Sequence, residues 1–323
     1  MRAFQRMAIC ISAGFGITTA PAFAQNYPAR PLRIVVPTSS GSGGDLVSRM
    51  IAQPLSDRFG QQVVVENRAG ASTIIGTDLV AKAAPDGYTL LMAVPAIAIN
   101  PSMFKKLPYD APRDLAPITR TAIAANLLVV HPSVPVTSVR QLIALAKARP
   151  GEVLFASSGS GSNTHLAMEL FLFLTQTRMG HIPYKGPAPG IIDLVSGRVS
   201  AMATTSVGVL PHVRSGRLRA LGVSTPQRIA IMPEVPTIAE AGVPGYESSA
   251  WYGLLAPVGT AAEIVARLQS EVVMILQIQS IRARVANEGM ELGGSTPGEF
   301  AAFIQAESAK WAKVVKSAGI RPG

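Results

Sequence analysis

Two stretches of this sequence share one layout: IVVPTSSGSGGDLVSRM at residues 34–50 and VLFASSGSGSNTHLAMEL at residues 153–170. Each starts with an apolar run typical of a buried strand, passes through a loop of Gly and Ser, and ends in a helix-forming segment. The pentapeptide SSGSG is identical in both. Because α/β domains are built from strands and helices in alternation, the repeat predicts two α/β units.

The surrounding pattern extends each unit. After a strand at 32–36, the apolar residues of the next segment recur at helical spacing, and further strands are predicted at 61–67 and 87–94 around a helix at 72–84. The alternation restarts near residue 126 and continues to 225. Alternating strands and helices favour parallel sheets covered on both faces.

The last quarter of the chain is predicted to return to the first unit. SAWYGLLAPVG at 249–259 is typical of a strand. Three T-x-x-E capping boxes follow the pattern expected at helix starts, Thr237/Glu240, Thr260/Glu263 and Thr296/Glu299, and the third opens a long amphipathic helix at 297–317.

The expected architecture is a two-lobed α/β fold of the periplasmic-binding-protein type. Each lobe is a mixed, mostly parallel sheet flanked by helices, and two crossover strands join the lobes. Residues 25–125 and 249–323 are assigned to lobe 1, and residues 126–248 to lobe 2. Ligands of open α/β sheets bind at the carboxyl ends of the strands, so the loops of both lobes are predicted to face a shared cleft.

Residues 1–24 are predicted to be a cleaved signal peptide. Arg2 and Arg6 precede an apolar segment that ends in AFA at Ala24, the pattern of a secretory leader. Export to the periplasm follows, and the exported chain lacks the protein's single cysteine, Cys10, so it has no disulfide. No later segment contains 18 consecutive apolar residues.

The net charge of +10 falls to +8 without Arg2 and Arg6. It is explained equally well by attraction of small anions or an acidic partner and by a general basic bias of composition. The basic residues are scattered and do not alternate with aromatic residues, so nucleic-acid binding is not predicted.

The Gly/Ser loops have the chemistry of an anion site. A dinucleotide fingerprint from Gly41 would need glycine where Leu46 stands, and no Gly-Lys-Ser/Thr occurs. A helix start nevertheless offers unpaired N–H groups to any anion, and serine adds donors without bulk. One alternative is that both loops are simple turns capped by Asp45 and Asn163; their repetition in matching positions favours two loops that grip one carboxylate.

Catalytic and metal motifs are absent from the sequence. There is no G-x-S-x-G elbow, and His131, His165, His181 and His212 lack zinc-ligand spacing. No enzyme activity, metal or cofactor is predicted. His165 and Glu169 lie one helical turn apart and are predicted to pair locally.

The segments VVVENRAGA, AKAAPDGYTLL, ASSGSGSNTHLAMELF, PYKGPAPGIIDLVSGRV, PEVPTIAEAGVPGYE and WYGLLAPVGT together resemble the Bug family. These are TctC-like extracytoplasmic substrate-binding proteins of tripartite tricarboxylate transporters. The resemblance covers essentially the whole exported chain. It implies two lobes that close on a small organic acid and permease subunits like TctA and TctB as partners. A monomer is expected.

The loop chemistry and the resemblance together predict a set of ligand-binding residues at the cleft. They are Thr38, Ser39, Ser40, Gly41, Ser42, Asp45, Ser72, Ser158, Gly159, Ser160, Gly161, Ser162, His165, Tyr184, Lys185, Thr204 and Thr205. For the PYKG segment around Tyr184 and Lys185, a surface turn is an equally good interpretation.

The sequence departs from the family pattern at the cleft. The family's first loop usually has the form P-F-P-P-G-G-x-x-D, whereas small hydroxyl residues replace its aromatic residue and two prolines here. Ser72 and Thr73 replace common glycines, and Thr204–Thr205 replaces a frequent acidic or Asn position. These changes favour a ligand without an amino group, such as a di- or tricarboxylate or an aromatic acid.

The predicted function is capture of such an acid in the periplasm for a tripartite tricarboxylate transporter. Three alternatives stay open: a sensory module that docks to a membrane receptor, an exported enzyme that uses the same cleft, and a cytoplasmic effector domain of a regulator. The signal peptide and the lack of a helix-turn-helix count against the last.

Overall fold

The computed structural model describes residues 27–317, so the predicted signal peptide lies outside the described residues. The strands are β1 Leu32–Val36, β2 Val63–Asn67, β3 Thr89–Ala93, β4 Leu115–Val130, β5 Leu154–Ser157, β6 Gly180–Pro183, β7 Ala201–Thr205, β8 Arg219–Val223, β9 Ser249–Pro257 and β10 Met290–Leu292. The helices are α1 Gly43–Phe59, α2 Ile74–Ala81, α3 Ala96–Met103, α4 Ala111–Asp114, α5 Val139–Ala148, α6 Asn163–Thr175, α7 Pro187–Val195, α8 Ser206–Arg214, α9 Ala262–Leu276, α10 Gln279–Asn287 and α11 Pro297–Ser317.

The strands form a mixed sheet flanked by helices, as predicted, in the order β2-β1-β3-β9-β4-β7-β5-β6. Strands β8 and β10 also pair with β4. Parallel pairing is confined to β1 with its neighbours β2 and β3, and to β5 with β6 and β7. The pairings made by β4 and β9 are antiparallel, so parallel strands predominate only towards the two outer ends of the sheet.

Strand β4 runs from one half of the molecule into the other. Its residues 115–125 pair with β9, and its residues 126–130 pair with β7. The sequence pattern indicated a strand only from 126 onward, because the earlier part contains Pro117 and polar residues that do not alternate simply. The lobe limits given above remain a prediction.

Two helices contribute to the cores of both halves. In α3, Ile97 packs in a cluster with Trp251 and Phe300, whereas Ile99 belongs to the cluster built around Phe155. Helix α11 repeats this arrangement, with Phe300 in the first cluster and Trp311 in the second. The last helix thus contributes to both core clusters, and its assignment to lobe 1 stays a prediction.

The capping boxes had three different outcomes. Thr296 and Glu299 form the predicted reciprocal pair at the start of α11, with Thr296 N–H to Glu299 Oε2 at 2.8 Å. Thr237 and Glu240 make the same pair on a turn instead of a helix. The box at Thr260 was a wrong prediction: its hydroxyl donates to the Pro257 carbonyl, and α9 begins only at Ala262.

Within the described range, no single helix is both long and apolar enough to cross a membrane. The helices α9 and α10 meet the length and composition criteria only when taken together, and they are bent by 74°.

Replacing Trp311 by alanine tests the contribution of α11 to both halves. Trp311 is fully buried, and its indole N–H donates to Glu307 at 3.0 Å. Because a large buried aromatic side chain is lost, Trp311→Ala is expected to lower the free energy of unfolding by ~3–5 kcal/mol in urea titrations. Lys313→Ala on the exposed face of the same helix is the control, with an expected change within ~0.5 kcal/mol; equal losses in both variants would contradict the packing described.

Candidate ligand-binding cleft

The two Gly/Ser loops end in the same helix cap. Ser42 and Ser162 are the N-cap residues of α1 and α6, and each hydroxyl accepts the N–H of the residue three positions on, at 3.3 Å. The glycine before each cap has positive φ, 78° at Gly41 and 76° at Gly161, a conformation that side chains disfavour. The simple-turn alternative placed the caps at Asp45 and Asn163, but both residues lie inside the helices, and the serines that precede the helices cap them instead.

A second hydrogen bond braces each loop from the third helical residue. Asp45 Oδ2 accepts the N–H of Gly41 at 2.9 Å, and His165 Nδ1 accepts the N–H of Gly161 at 3.1 Å. Asp45 and His165 thus occupy equivalent positions. An alignment of the two identical SSGSG segments pairs Ser42 with Ser160. The structure instead pairs Ser42 with Ser162, because both are helix caps, so the structural repeat is shifted by two residues from the sequence repeat.

Each bracing residue is held in turn by a side chain one helical turn later. Arg49 Nε donates to Asp45 Oδ1 at 3.1 Å, and Glu169 Oε1 lies 3.3 Å from His165 Nε2. The predicted local pair of His165 and Glu169 is confirmed. Both bracing residues are buried, Asp45 to 4% and His165 to 6% relative exposure, so they shape the loops from behind.

The charge of Asp45 is stabilised in place. Burial by itself raises the pKa of its carboxyl, but the hydrogen bonds from Arg49 and from the Gly41 N–H outweigh burial and lower the pKa below its usual value. Asn67 connects Arg49 to the first loop: its amide oxygen accepts from Arg49 at 3.2 Å, and its amide nitrogen donates to the Thr38 carbonyl at 3.1 Å.

The first loop and the segment around Ser72 lie close to the second loop and the segment after β6. The Ser72 hydroxyl donates to the Ser160 carbonyl at 3.5 Å. A Cβ placed on Gly186 would lie 3.7 Å from Ser39 Oγ. The first loop and the segment around Ser72 therefore meet the second loop and the segment after β6.

Four backbone N–H groups at the helix starts lack an acceptor within residues 27–317. They belong to the first two residues of each helix, Gly43 and Gly44 in α1 and Asn163 and Thr164 in α6. The caps satisfy only the third residue of each helix. The amide group of Asn163 is also buried without a partner in this range, and such a group costs stability unless a bound molecule or water completes it.

The segment that carries Ser72 has a strained backbone. Ala71, Ser72 and Thr73 have φ of 45°, 52° and 75°, and each non-glycine residue held in that region costs ~1–3 kcal/mol. Fully buried Asn100 fixes the segment by donating to the Ser72 carbonyl at 2.9 Å. Such strain is concentrated at binding sites, where neighbouring structure maintains it.

A serine–histidine contact lies behind the second loop. Ser157 Oγ is 2.7 Å from His181 Nε2, and the His181 ring stacks on His165 with centroids 4.0 Å apart. Burial, and then the neighbouring His165, lower the pKa of His181 to about 4. Ser157 is fully buried. A weak base beside an inaccessible hydroxyl is poorly suited to nucleophilic catalysis.

Four other residues predicted to bind the ligand, Tyr184, Lys185, Thr204 and Thr205, are less well placed to do so. The Tyr184 hydroxyl donates to Asp193 at 2.7 Å, and burial followed by this bond raises the pKa of Tyr184 to about 12, so its polar end is already engaged. Lys185 is exposed next to Gly186. Thr204 is buried within β7, whereas Thr205 is partly exposed where the strand meets α8.

Sequence reasoning missed Asn67 and Asn100, which hold the first loop and the segment around Ser72, and it did not predict the contacts of His181 with Ser157 and His165. The only available signal was a polar residue at a strand end or helix start, which is too common to be decisive. Among the described residues, no group of three His, Cys, Asp or Glu side chains could hold a metal ion.

Comparison with known proteins identifies the family. Residues 47–320 match the tripartite tricarboxylate transporter family receptor, TctC. The chain belongs to the TctC family. BugT of Bordetella pertussis is 40% identical over 304 residues, covering 94% of this chain and 93% of BugT, so the resemblance to Bug proteins is confirmed.

Solved structures of TctC relatives have the same two-lobed fold. Rpa4515 of R. palustris, described with adipate, has a TM-score of 0.88 and 40% identity, covering 92% of this chain and all of that one. MatC of Rhodopseudomonas palustris, with bound malate, has a TM-score of 0.84 and 30% identity, covering 90% and 100%. The predicted fold class is confirmed, and the chain is a member of a family of periplasmic solute-binding proteins.

Asp45→Asn tests the charged brace of the first loop. Losing the charge-assisted bond to Arg49 is expected to lower the free energy of unfolding by ~1.5–3 kcal/mol at about pH 7. Because the pKa of Asp45 is lowered in the folded protein, this contribution is complete above its usual value of 3.8 and is lost as pH falls below it. Urea titrations of both proteins between about pH 7 and pH 3.5 should show the difference shrinking in acid.

Asp57→Asn, an exposed position on the same helix, is the matched control and should change stability by less than ~0.5 kcal/mol. A difference between wild type and Asp45→Asn that grows as the pH falls would contradict the assignment.

Proposed function

We propose that this TctC-family protein captures a small carboxylate in the cleft between its lobes. The observation that carries the proposal is a pair of helix starts, Gly43 and Gly44 in α1 and Asn163 and Thr164 in α6, whose N–H groups have no acceptor within residues 27–317. Both helix macrodipoles place partial positive charge at these ends, so a carboxylate there would be stabilised from both lobes.

The energetics are adequate for such a site. Hydrogen bonds to a charged group contribute ~1.5–3 kcal/mol each, and micromolar binding requires about 8 kcal/mol. Three or four bonds reach this range before the entropy of association is subtracted. Hydroxyl groups of the first loop and the unpaired amide of Asn163 supply further polar contacts.

An acid without an amino group fits the charges of the cleft best. A bound ammonium group would need a free carboxylate, but Asp45 already accepts from Arg49 on one oxygen and from Gly41 on the other. The solved relatives described with adipate and malate hold dicarboxylates of this kind. We therefore propose a dicarboxylate as the ligand class.

The physiological role we propose is delivery of this acid, in the periplasm, to the membrane subunits of a tripartite tricarboxylate transporter. The family description and the predicted signal peptide support this role. Closure of the two lobes on the acid would distinguish the loaded from the empty protein. The predicted set of ligand residues, from Thr38 to Thr205, belongs to this proposal.

Isothermal titration calorimetry on the exported chain tests the proposal. Adipate, malate, citrate, benzoate and glutamate are titrated separately, and at least one acid without an amino group is expected to bind with a micromolar or lower Kd. The proposed ligand class would be contradicted if folded protein bound none of the four acids that lack an amino group, or if it bound glutamate most tightly.

Ser39→Tyr locates the binding in the cleft. Ser39 Oγ faces Gly186 across a short gap, so a tyrosine ring would fill the space in which the acid is proposed to lie. Binding is expected to weaken at least ~10-fold, an effect of about 1.4 kcal/mol. Ser270→Tyr makes the same change at an exposed position on α9 and should bind like the wild type.

A further inference from the structure

The two loops are braced by the same geometry but by opposite charge patterns. In the first, an anionic Asp45 accepts the Gly41 N–H and is held by cationic Arg49. In the second, the imidazole of His165 accepts the Gly161 N–H and is held by anionic Glu169. Only the second brace contains a group that ordinarily changes its protonation between about pH 5 and pH 8.

The contacts of His165 specify one protonation state. Nδ1 accepts the Gly161 N–H at 3.1 Å, so it carries no proton, and the ring proton must lie on Nε2, which faces Glu169 Oε1 at 3.3 Å. If Glu169 did not accept the Nε2 proton, the other neutral tautomer of His165, with its proton on Nδ1, would no longer be disfavoured. Two N–H groups would then oppose each other, and Gly161 would lose its hydrogen bond.

We infer that Glu169 is a positioning residue for ligand binding: it fixes the Nε2–H tautomer of His165, which holds the second loop in its binding geometry, and protonation of His165 releases that loop. The inference rests on the proposed function, because it assigns a pH-dependent control to the same cleft. The step is a simple proton gain at Nδ1, which converts the acceptor into a donor.

The groups around His165 are consistent with this assignment. His181 of β6 stacks on the ring at 4.0 Å, and because its pKa is lowered to about 4 it stays neutral over this pH range. Tyr246, packed against α6 from the segment before β9, donates to the Ala167 carbonyl, and burial raises its pKa.

Helix α11 also packs against α6, and its charged residues Glu307 and Lys310 pair with each other. Glu169 is thus the charged group that contacts the imidazole among the described residues.

The loop that would be released contributes directly to the cleft. The Gly161 N–H bond fixes the glycine at φ 76°, and the preceding residue presents the carbonyl that accepts from Ser72 across the cleft. A released loop therefore weakens both the anion-binding helix start and the contact between the lobes. The first loop has no such response, because Asp45 remains charged throughout this range.

The first experiment compares pH profiles. The Kd for adipate is measured by calorimetry at intervals from about pH 8 to pH 5.5 for the wild type and for His165→Asn, whose amide oxygen can accept the Gly161 N–H but does not titrate. In this variant, any change of the Kd with pH reports the protonation of adipate itself. Relative to that reference, wild-type binding is expected to weaken ~5–10-fold over the range, the loss of about one hydrogen bond.

The second experiment changes Glu169 itself. Glu169→Leu removes the acceptor, and is expected to weaken adipate binding ~5-fold at about pH 8, whereas Glu169→Gln restores most of the loss through its carbonyl oxygen. The double variant His165→Asp, Glu169→Arg copies the pair of the first loop, and its pH profile should follow that of His165→Asn.

A spectroscopic measurement on ligand-free protein tests the tautomer independently. The ¹⁵N shifts of the His165 ring at about pH 8 should show protonated Nε2 and unprotonated Nδ1 in the wild type and Glu169→Gln, and a mixture in Glu169→Leu. A protonated Nδ1 in the wild type would overturn the inference. So would a Kd ratio between wild type and His165→Asn that is flat or that favours the wild type in acid.

The two proposals can fail separately. Should none of the acids without an amino group in the calorimetry panel bind the wild type at about pH 8, the proposed function fails, and the regulation proposed on it falls too, while the ring shifts still report the tautomer. Tight binding with parallel pH profiles would remove the regulation and leave the proposed function in place.

Discussion

The central constraint on the structure is a pair of helix starts, those of α1 and α6, that offer more backbone N–H donors than the described residues supply acceptors for. A helix start has several donors that its own backbone cannot satisfy. In α1 and α6 a serine cap satisfies the third residue only, and the first two stay without an acceptor in the described range. In the proposed site, an anion between the two positive helix ends would be attracted by both.

Keeping the loops in this arrangement requires rigid support from outside the loops. The left-handed residues 71–73 are held by Asn100 of α3. That helix, together with α11, contributes to the cores on both sides of the molecule. Burial of Trp251, Phe300 and Trp311 thus offsets the strain at the cleft, since large aromatic side chains provide most of the apolar area.

The two loops repeat the same geometry with different side chains. A cap, a preceding glycine of positive φ, a bracing side chain and its partner one turn later recur in both halves. Aspartate with arginine fills the roles in one half, and histidine with glutamate in the other. The same loop geometry is therefore built with an ion pair on one side and with a histidine and a carboxylate on the other.

The sequence by itself determined the alternation of strands and helices, the existence of two Gly/Ser loops before helices, and the Thr296 capping box of α11. These features depend on neighbours within a few residues, so periodicity and composition are sufficient to predict them. The family resemblance likewise extended along essentially the whole chain after residue 24.

Only the tertiary structure decided that Ser42 matches Ser162 and that β4 spans both halves. It also decided that α11 packs on both cores, that Tyr184 turns its hydroxyl to Asp193, and that His181 stacks on His165. Each of these depends on packing between different strands, helices and loops, on which local patterns carry no information.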